Sequence, residues 1–311
     1  MITRQLGNTD IEVGAIAFGC WRFAGTDVAT AQARIEAALE AGMTLVDTAD
    51  VYGLDNDAPW GAAEDLLGKV FAHAPELRNR MVLATKGGIH LGPQHAGRAG
   101  LGVPYESGGE WITHACDQSL RRLNTDVIDL YQIHRPDLLA HPADVAATLV
   151  SLVESGKVRH IGVSNYSAAQ LAALMAHLEI PLVSVQPEFS IAHLDPIDDG
   201  VFDLAMTHGL TPLAWSPLAG GRLVEPASRG ANPDDARIAT IHAVMDDLAE
   251  EHGTDRTGVA LAFVLAHPAG VIPIIGTGNL DRIKQSAAAA DIKLTKADCY
   301  RLIAASGRTL P

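Results

Sequence analysis

The sequence predicts an α/β fold: a (β/α)8 TIM barrel with an N-terminal β-hairpin and a C-terminal extra helix, one domain over residues 1–311. Three observations carry this. Eight short apolar runs alternate with eight helix-like segments. The runs are apolar along most of their length, as expected for parallel strands covered on both faces. Polar and ionisable residues recur at their carboxyl ends, where the strands of a barrel converge on one mouth.

The chain opens on a predicted hairpin, residues 3–6 and 11–13, around the turn cluster Gly7-Asn8-Thr9-Asp10. The strand-like runs follow at 15–18, 44–46, 81–84, 127–133, 158–163, 182–185, 210–215 and 271–275. Helices are predicted at 29–41, 62–72, 109–123, 143–155, 168–177, 200–208, 234–252 and 279–289. Gly42, Gly156, Gly209 and Gly253 punctuate helix ends, and Thr295 is the expected N-cap of a last helix at 296–305. An open doubly wound sheet would call for Gly-x-Gly-x-x-Gly after the first strand. That stretch reads Phe18-Gly19-Cys20-Trp21-Arg22-Phe23, so the barrel is preferred. Two irregular stretches, 87–109 and 219–233, follow strands three and seven and belong on the mouth.

Composition narrows the function. The chain is 48% hydrophobic and 19% charged, which excludes wholesale disorder. Lys and Arg number 23 against 37 Asp and Glu, a net charge of −14. That argues against general affinity for nucleic acid or anionic membranes. Aromatics at 5% leave little for a base-stacking platform. Cys20, Cys116 and Cys299 are far apart and form no Cys-x-x-Cys pair, so neither a disulfide framework nor a cysteine metal site is expected. The polar opening MITRQLGNTD and the absence of a bilayer-length apolar run lead to the expectation of a cytoplasmic protein.

The strand ends hold the candidate chemistry. Strand two runs into Asp47-Thr48-Ala49-Asp50-Val51-Tyr52-Gly53, strand three into Thr85-Lys86-Gly87, and strand four into Gln132-Ile133-His134-Arg135. Strands five to eight end in Ser164-Asn165, Gln186, Ser216 and Gly276-Thr277. A free tyrosine, with a pKa of ~10, is a poor acid at neutral pH. An ammonium beside it favours tyrosinate, and a carboxylate holds the ammonium in place. An imidazole can orient a carbonyl by hydrogen bonding. Asp47, Tyr52, Lys86 and His134 thus make a proton donor for a carbonyl that gains a hydride. Singly, each has a bland alternative: a barrel-closing ion pair, a loop aromatic, a histidine satisfied beside Arg135 and Asp137. Their coincidence on neighbouring strand ends favours chemistry.

These motifs resemble the aldo-keto reductase superfamily. The strand-two motif, Leu83-Ala84-Thr85-Lys86, Tyr131-Gln132-Ile133-His134-Arg135-Pro136-Asp137 and Lys157-Val158-Arg159-His160-Ile161-Gly162-Val163-Ser164-Asn165 are all similar to segments of that family. Within it the chain is most similar to the bacterial YdhF-like oxidoreductases. The resemblance implies an NADPH-dependent reductase of a small-molecule aldehyde or ketone, metal-independent, with NADH also open. It makes Tyr52 the general acid, Lys86 the group that lowers its pKa, Asp47 the partner of Lys86, and His134 the group that orients the carbonyl. Ser164, Asn165 and Gln186 would hold the nicotinamide carboxamide, with Trp215 stacked on its ring. Trp215 has core packing as its alternative. Gly19, Trp21, Asp47 and Gln285 would complete the cofactor contacts. Some relatives are cofactor-binding regulatory proteins with little turnover, and that alternative stays open here.

The phosphate site has its own argument. Barrels often bind phosphate with the loops after strands seven and eight. Here these read Ser216-Pro217-Leu218-Ala219-Gly220-Gly221-Arg222 and Gly276-Thr277-Gly278-Asn279. Glycines expose backbone N–H groups, and a helix starts near Asn279. Arg222 and Arg282 supply charge. Many relatives carry lysine where this chain has Gly276, which leaves Arg282 as the main contact for a 2′-phosphate. The remaining features point nowhere strongly. Thirteen histidines form no zinc motif. His141 and His267 precede prolines, His90 and His95 read as solvated loop residues with lining the substrate mouth as their alternative, Cys20 as a small buried thiol, and Glu64-Asp65 as a solvated helix face.

Overall fold

The computed structural model describes residues 2–54, 58–90, 105–225 and 233–310. His95 and the tips of both long loops lie outside the described residues. A two-stranded hairpin comes first, β1 (Thr3–Gln5) antiparallel to β2 (Glu12–Gly14). Eight parallel strands then close a barrel: β3 (Ala17–Gly19), β4 (Leu45–Asp47), β5 (Val82–Gly87), β6 (Ile128–Ile133), β7 (Val158–Ser164), β8 (Leu182–Gln186), β9 (Thr211–Ala214) and β10 (Ile272–Ile275). β10 pairs with both β9 and β3 and seals the ring.

Around the ring run α1 (Val28–Glu40), α2 (Ala62–His73), α3 (Gly109–Arg122), α4 (Pro142–Glu154), α5 (Ala168–Met175), α6 (Asp195–Asp198), α7 (Val201–His208), α8 (Pro233–Glu251), α9 (Arg256–Leu265), α10 (Leu280–Ala287) and α11 (Lys296–Ala305). Some of their starts carry side-chain caps, among them the predicted Thr295. Asp27 accepts from Thr30 N at 2.8 Å, and Thr295 with Asp298 forms a capping box for α11. Gly209 ends α7 at φ +67°, a left-handed position that a side chain disfavours.

Two helices escape the sequence reading, the four-residue α6 and the longer α9. The predicted segment 234–252 stops at Glu251, and α9 follows Gly253 after a short turn. Gly258 to Val264 are all buried, so α9 has no polar face to mark its period. Its start is nonetheless signalled, since Asp255 accepts from Gly258 N at 2.8 Å.

Two cores result. The larger lies between strands and helices. The smaller fills the barrel, where Leu6 and Val13 of the hairpin meet Leu45, Ala84, Leu130, Leu213 and Ile272. The hairpin therefore plugs the amino-terminal end. Side chains alternate along a strand with period two. Leu45 and Ala84 at the plugged end put Asp47 and Lys86 on the same inward face nearer the mouth, and Leu130 does so for Gln132. Polar groups lie inside the barrel only because the apolar plug leaves them one layer from its open end.

Candidate active site

Lys86 is the centre of the mouth. It is fully buried, and its ammonium makes three bonds. Nζ donates to Asp47 Oδ2 at 2.6 Å, to the Thr48 carbonyl at 2.8 Å and to Tyr52 Oη at 3.2 Å. It also lies 4.9 Å from the centroid of the Tyr52 ring. The tetrad is completed by His134, whose ring meets that of Tyr52 edge-on at 5.9 Å. Three strands thus deliver the predicted groups to one place, β4 with its following loop, β5, and the end of β6.

Asp47 is held from both sides. Its Oδ1 accepts from Gln186 Nε2 at 2.9 Å and from Gln132 Nε2 at 3.4 Å, and Gln132 in turn accepts from Ser184 Oγ at 3.3 Å. Gln132 and the Thr48 carbonyl are parts of this site that the sequence reading did not single out. For Gln132 the signal was there: a buried amide in an apolar strand, two residues before His134 on the same face.

The electrostatics differ from expectation in one respect. Burial pushes the Tyr52 phenol above its ordinary value, while Lys86 pulls it down less strongly. The predicted lowering is thus present but outweighed. Tyr52 stays protonated across the neutral range, and an acid must hold its proton to give it. The Lys86 ammonium pays a burial penalty that the neighbouring Asp47 and Tyr52 more than offset, so it stays charged. His134 is pushed well below the usual histidine range by burial and by the cations Lys86 and Arg135. It is neutral, and its Nδ1 has no hydrogen-bond partner among the described residues.

The cofactor candidates gather on the other side of the mouth. Trp215, half-buried just after β9, donates from Nε1 to Asn165 Oδ1 at 2.9 Å. Asn165, at φ +60°, donates from Nδ2 to the His134 carbonyl at 3.0 Å and to Ser164 Oγ at 2.9 Å. Ser164 Oγ donates to the Gln186 carbonyl at 2.8 Å. Ser164, Asn165, Gln186 and Trp215 therefore form one bonded wall. Gly19 is buried at the end of β3, and Trp21 is exposed beyond it.

Ser216, Ala219 and Gly220 all have positive φ, so the loop holding Pro217 and Leu218 is a sequence of left-handed turns. Arg222 is paired with Asp234 at 2.5 Å, whereas Arg282 is exposed and has no acidic partner among the described residues. A Cβ added at Gly220 or Gly276 would meet nothing within 4 Å among the described residues. Asn279 caps α10 by accepting from Arg282 N at 3.0 Å, Thr277 Oγ1 accepts from Asn279 N at 3.3 Å, and Gln285 is exposed on that helix. Gly278 brings in an unexpected group: its carbonyl accepts from Arg34 Nε of α1 at 2.9 Å.

Two minor readings need correction. Glu64 does not belong to a solvated face. It is fully buried, accepting from Thr85 Oγ1 at 2.5 Å and from Arg122 Nε at 2.8 Å; its neighbour Asp65 is exposed. A helix facing a strand can bury a carboxylate when an arginine on the next helix reaches it, and two adjacent acidic residues point about 100° apart. His90 is not simply solvated either: it pairs with Glu106 at 2.9 Å and stacks 3.9 Å from Trp111. Cys20 is buried as expected. One metal-like grouping occurs among the described residues, Glu251, His252 and Asp298 on the outer helices, and Arg301 already pairs with both acids. No helix among the described residues is long and apolar enough to cross a membrane.

The closed parallel barrel is a fold shared with known oxidoreductases. The chain belongs to the aldo/keto reductase family, whose model matches residues 15–306. It is 47% identical over 311 residues to a 6-dehydroglucose reductase of Novosphingobium aromaticivorans, covering 99% of this chain and 97% of that protein. A 6-dehydroglucose reductase of Agrobacterium fabrum is 34% identical, covering 94% of each chain. The oxidoreductase YdhF of Escherichia coli is also 34% identical, over 94% and 93% of the two chains. The crystal structure of Tm1743, a thermostable aldo-keto reductase bound to the inhibitor epalrestat, has the same fold, with a TM-score of 0.79, 24% identity and coverage of 98% and 100%.

Proposed function

We propose that this chain reduces aldehydes with NADPH, without a metal, using Tyr52 as the general acid, and that its substrate is a sugar aldehyde such as 6-dehydroglucose. The observation that carries the chemistry is the ammonium of Lys86, bonded at once to Asp47 and to the Tyr52 hydroxyl. The relatives' names, taken with 47% identity over nearly the whole chain, support the sugar aldehyde.

The bound nicotinamide would supply a hydride to the carbonyl carbon. Tyr52 gives its proton to the carbonyl oxygen, and Lys86 stabilises the phenolate left behind. Asp47 fixes Lys86, and the neutral His134 donates one hydrogen bond to the same oxygen. Run backwards, the same groups take a proton from an alcohol. The residues present fit a dinucleotide. The wall of Ser164, Asn165, Gln186 and Trp215 faces the mouth, the open backbone at Gly220 and Gly276 suits phosphate, and Arg282 is unclaimed by any acid among the described residues. The free thiols of Cys20, Cys116 and Cys299 suit a reducing cytoplasm.

The test is turnover of NADPH and of NADH against a panel of aldehydes that includes 6-dehydroglucose, with wild type and Tyr52→Phe. Aldehyde-dependent oxidation of NADPH that Tyr52→Phe abolishes supports the proposal. Tight NADPH binding with no turnover on any aldehyde replaces it with a cofactor-binding regulator. Dissociation constants decide the cofactor. Arg282→Ala weakens NADPH at least about tenfold and NADH hardly at all, since a charge-assisted hydrogen bond contributes ~1.5–3 kcal/mol. Equal losses assign Arg282 to the loop alone. EDTA leaves the activity unchanged.

A further inference from the structure

Arg135, the residue after His134, is half-buried at the mouth with its charge unspent. Its guanidinium carbon lies 5.9 Å from the Trp215 ring centroid, and no carboxylate or carbonyl receives it among the described residues. The other half-buried arginines each meet one or the other. Arg4 donates to the carbonyls of Val271 and Leu265, Arg78 pairs with Asp129, and Arg122 pairs with Glu64. The nearest acid in sequence, Asp137, is turned away: one oxygen accepts from Ser107 N at 3.2 Å and the other from Leu139 N at 2.9 Å. A partly desolvated cation with no partner costs free energy unless something else supplies the acceptor. In a chain of net charge −14, the lack of a carboxylate on it among the described residues, beside the carbonyl-orienting histidine, is informative. The cation is near enough to His134 to help keep that ring neutral.

We propose that Arg135 is a specificity residue, whose guanidinium receives hydrogen-bond-accepting oxygens that an aldehyde substrate carries beyond its reacting carbonyl. The inference rests on the reductase reading above and assigns the residue that reads the further oxygens of its substrate. A planar guanidinium offers several donors at fixed angles, which matches a carboxylate or neighbouring hydroxyls and gives an alkyl chain nothing to bond.

Three four-carbon aldehydes test it: butanal, erythrose and succinic semialdehyde, which differ in carrying no further oxygen, hydroxyls or a carboxylate. Arg135→Met lowers kcat/KM about tenfold or more for at least one of the oxygen-bearing pair, chiefly through KM, and by no more than about threefold for butanal. The NADPH dissociation constant, measured by fluorescence without substrate, stays within about twofold. Arg135→Lys keeps the charge without the fork and recovers part of the loss. The larger effect on succinic semialdehyde assigns a carboxylate, the larger effect on erythrose assigns hydroxyls, and either supports the proposal. Equal losses on all three aldehydes, no loss on any, or an NADPH constant that weakens as much as KM overturns it. Saturation-transfer NMR of butan-1-ol, erythritol and 4-hydroxybutyrate gives the same comparison without turnover. If no aldehyde is reduced, the reductase reading falls, and the affinities of these alcohols for wild type and Arg135→Met decide the inference alone.

Discussion

Strand β5 carries two neighbours that face opposite ways, and each leads to a buried ion pair. Thr85 points outward to Glu64, which Arg122 holds from α3 at 2.8 Å. Lys86 points inward to Asp47 at 2.6 Å. Both carboxylates are buried and both are paired. The outward pair spends itself within the chain: one Glu64 oxygen takes Thr85 and the other takes Arg122. The inward pair keeps a third bond, from Lys86 to the hydroxyl of a half-buried tyrosine at the open end of the barrel. A buried ion pair is therefore no mark of function by itself. What marks function is a bond directed to a group that a substrate can reach.

The largest expected effects break or confirm this contrast directly. Lys86→Met lowers turnover by ~10²–10⁴-fold, the range of general acid–base catalysis, and leaves the NADPH dissociation constant within a few-fold. Tyr52→Phe behaves likewise, and the double variant is little worse than either, because the two act as a unit. Arg122→Met does the opposite. It strands the Glu64 carboxylate, costs about 3–5 kcal/mol in urea unfolding, and leaves kcat per folded molecule as it was. Turnover lost with Arg122→Met at unchanged stability would put the outward pair into the chemistry and end the contrast.

The inward pair was legible in the sequence and the outward pair was not. Asp47, Tyr52, Lys86 and His134 stand at the ends of apolar strands, where a barrel leaves polar groups no structural use. Glu64 stands on a helix beside Asp65, and helix carboxylates are usually solvated; only Arg122, 58 residues away, reverses that, and single-sequence periodicity carries no such pairing. Strand number, hairpin and capping residues were readable for the same reason as the tetrad: they follow from local pattern. Helix α9 was hidden because its residues from Gly258 to Val264 are buried all round, so the polar stripe that reveals a helix is missing. The net rise of the Tyr52 pKa was hidden because it depends on how deeply the fold buries the ring.

The two sides of β5 also respond oppositely to pH. Asp50 belongs to the outer side. It is buried, its Oδ1 has no partner among the described residues, and burial together with the nearby Glu64 pushes its carboxyl well up. The unfolded chain ionises near pH 4 and the folded one resists, so Asp50 contributes stability in acid that is lost as pH rises towards its folded value. Asp50→Asn keeps the shape and removes the titration. Its gain in unfolding free energy over wild type grows as the pH is raised above 4.5 and stops growing past the folded value, by up to ~1.4 kcal/mol per pH unit while the two states differ by one proton. A gain that is flat from pH 4.5 upward would mean that Asp50 ionises in the folded chain as freely as in the unfolded one.

His134, on the inner side, carries the opposite sign. Burial, Lys86 and Arg135 hold it well below the usual histidine value. Below pH ~6.5 the unfolded chain takes a proton that the folded chain refuses, so stability falls as the medium is acidified. The loss from this one group runs at ~1.4 kcal/mol per pH unit until the folded value is reached. His160, His242 and His267 are also pushed down by burial and act in the same sense, so the wild-type slope alone assigns nothing. His134→Gln isolates the term, because the other three are common to both proteins and cancel in the difference. Between pH 5 and pH 6.5 the unfolding free energy of His134→Gln changes less steeply than that of wild type, by about one proton's worth. Parallel slopes would show that His134 takes up its proton in the folded chain. The mouth would then hold a third cation, a charged imidazole with Lys86 and Arg135, beside a tyrosine that must part with a proton, and the neutral donor assigned to His134 would have to be given up.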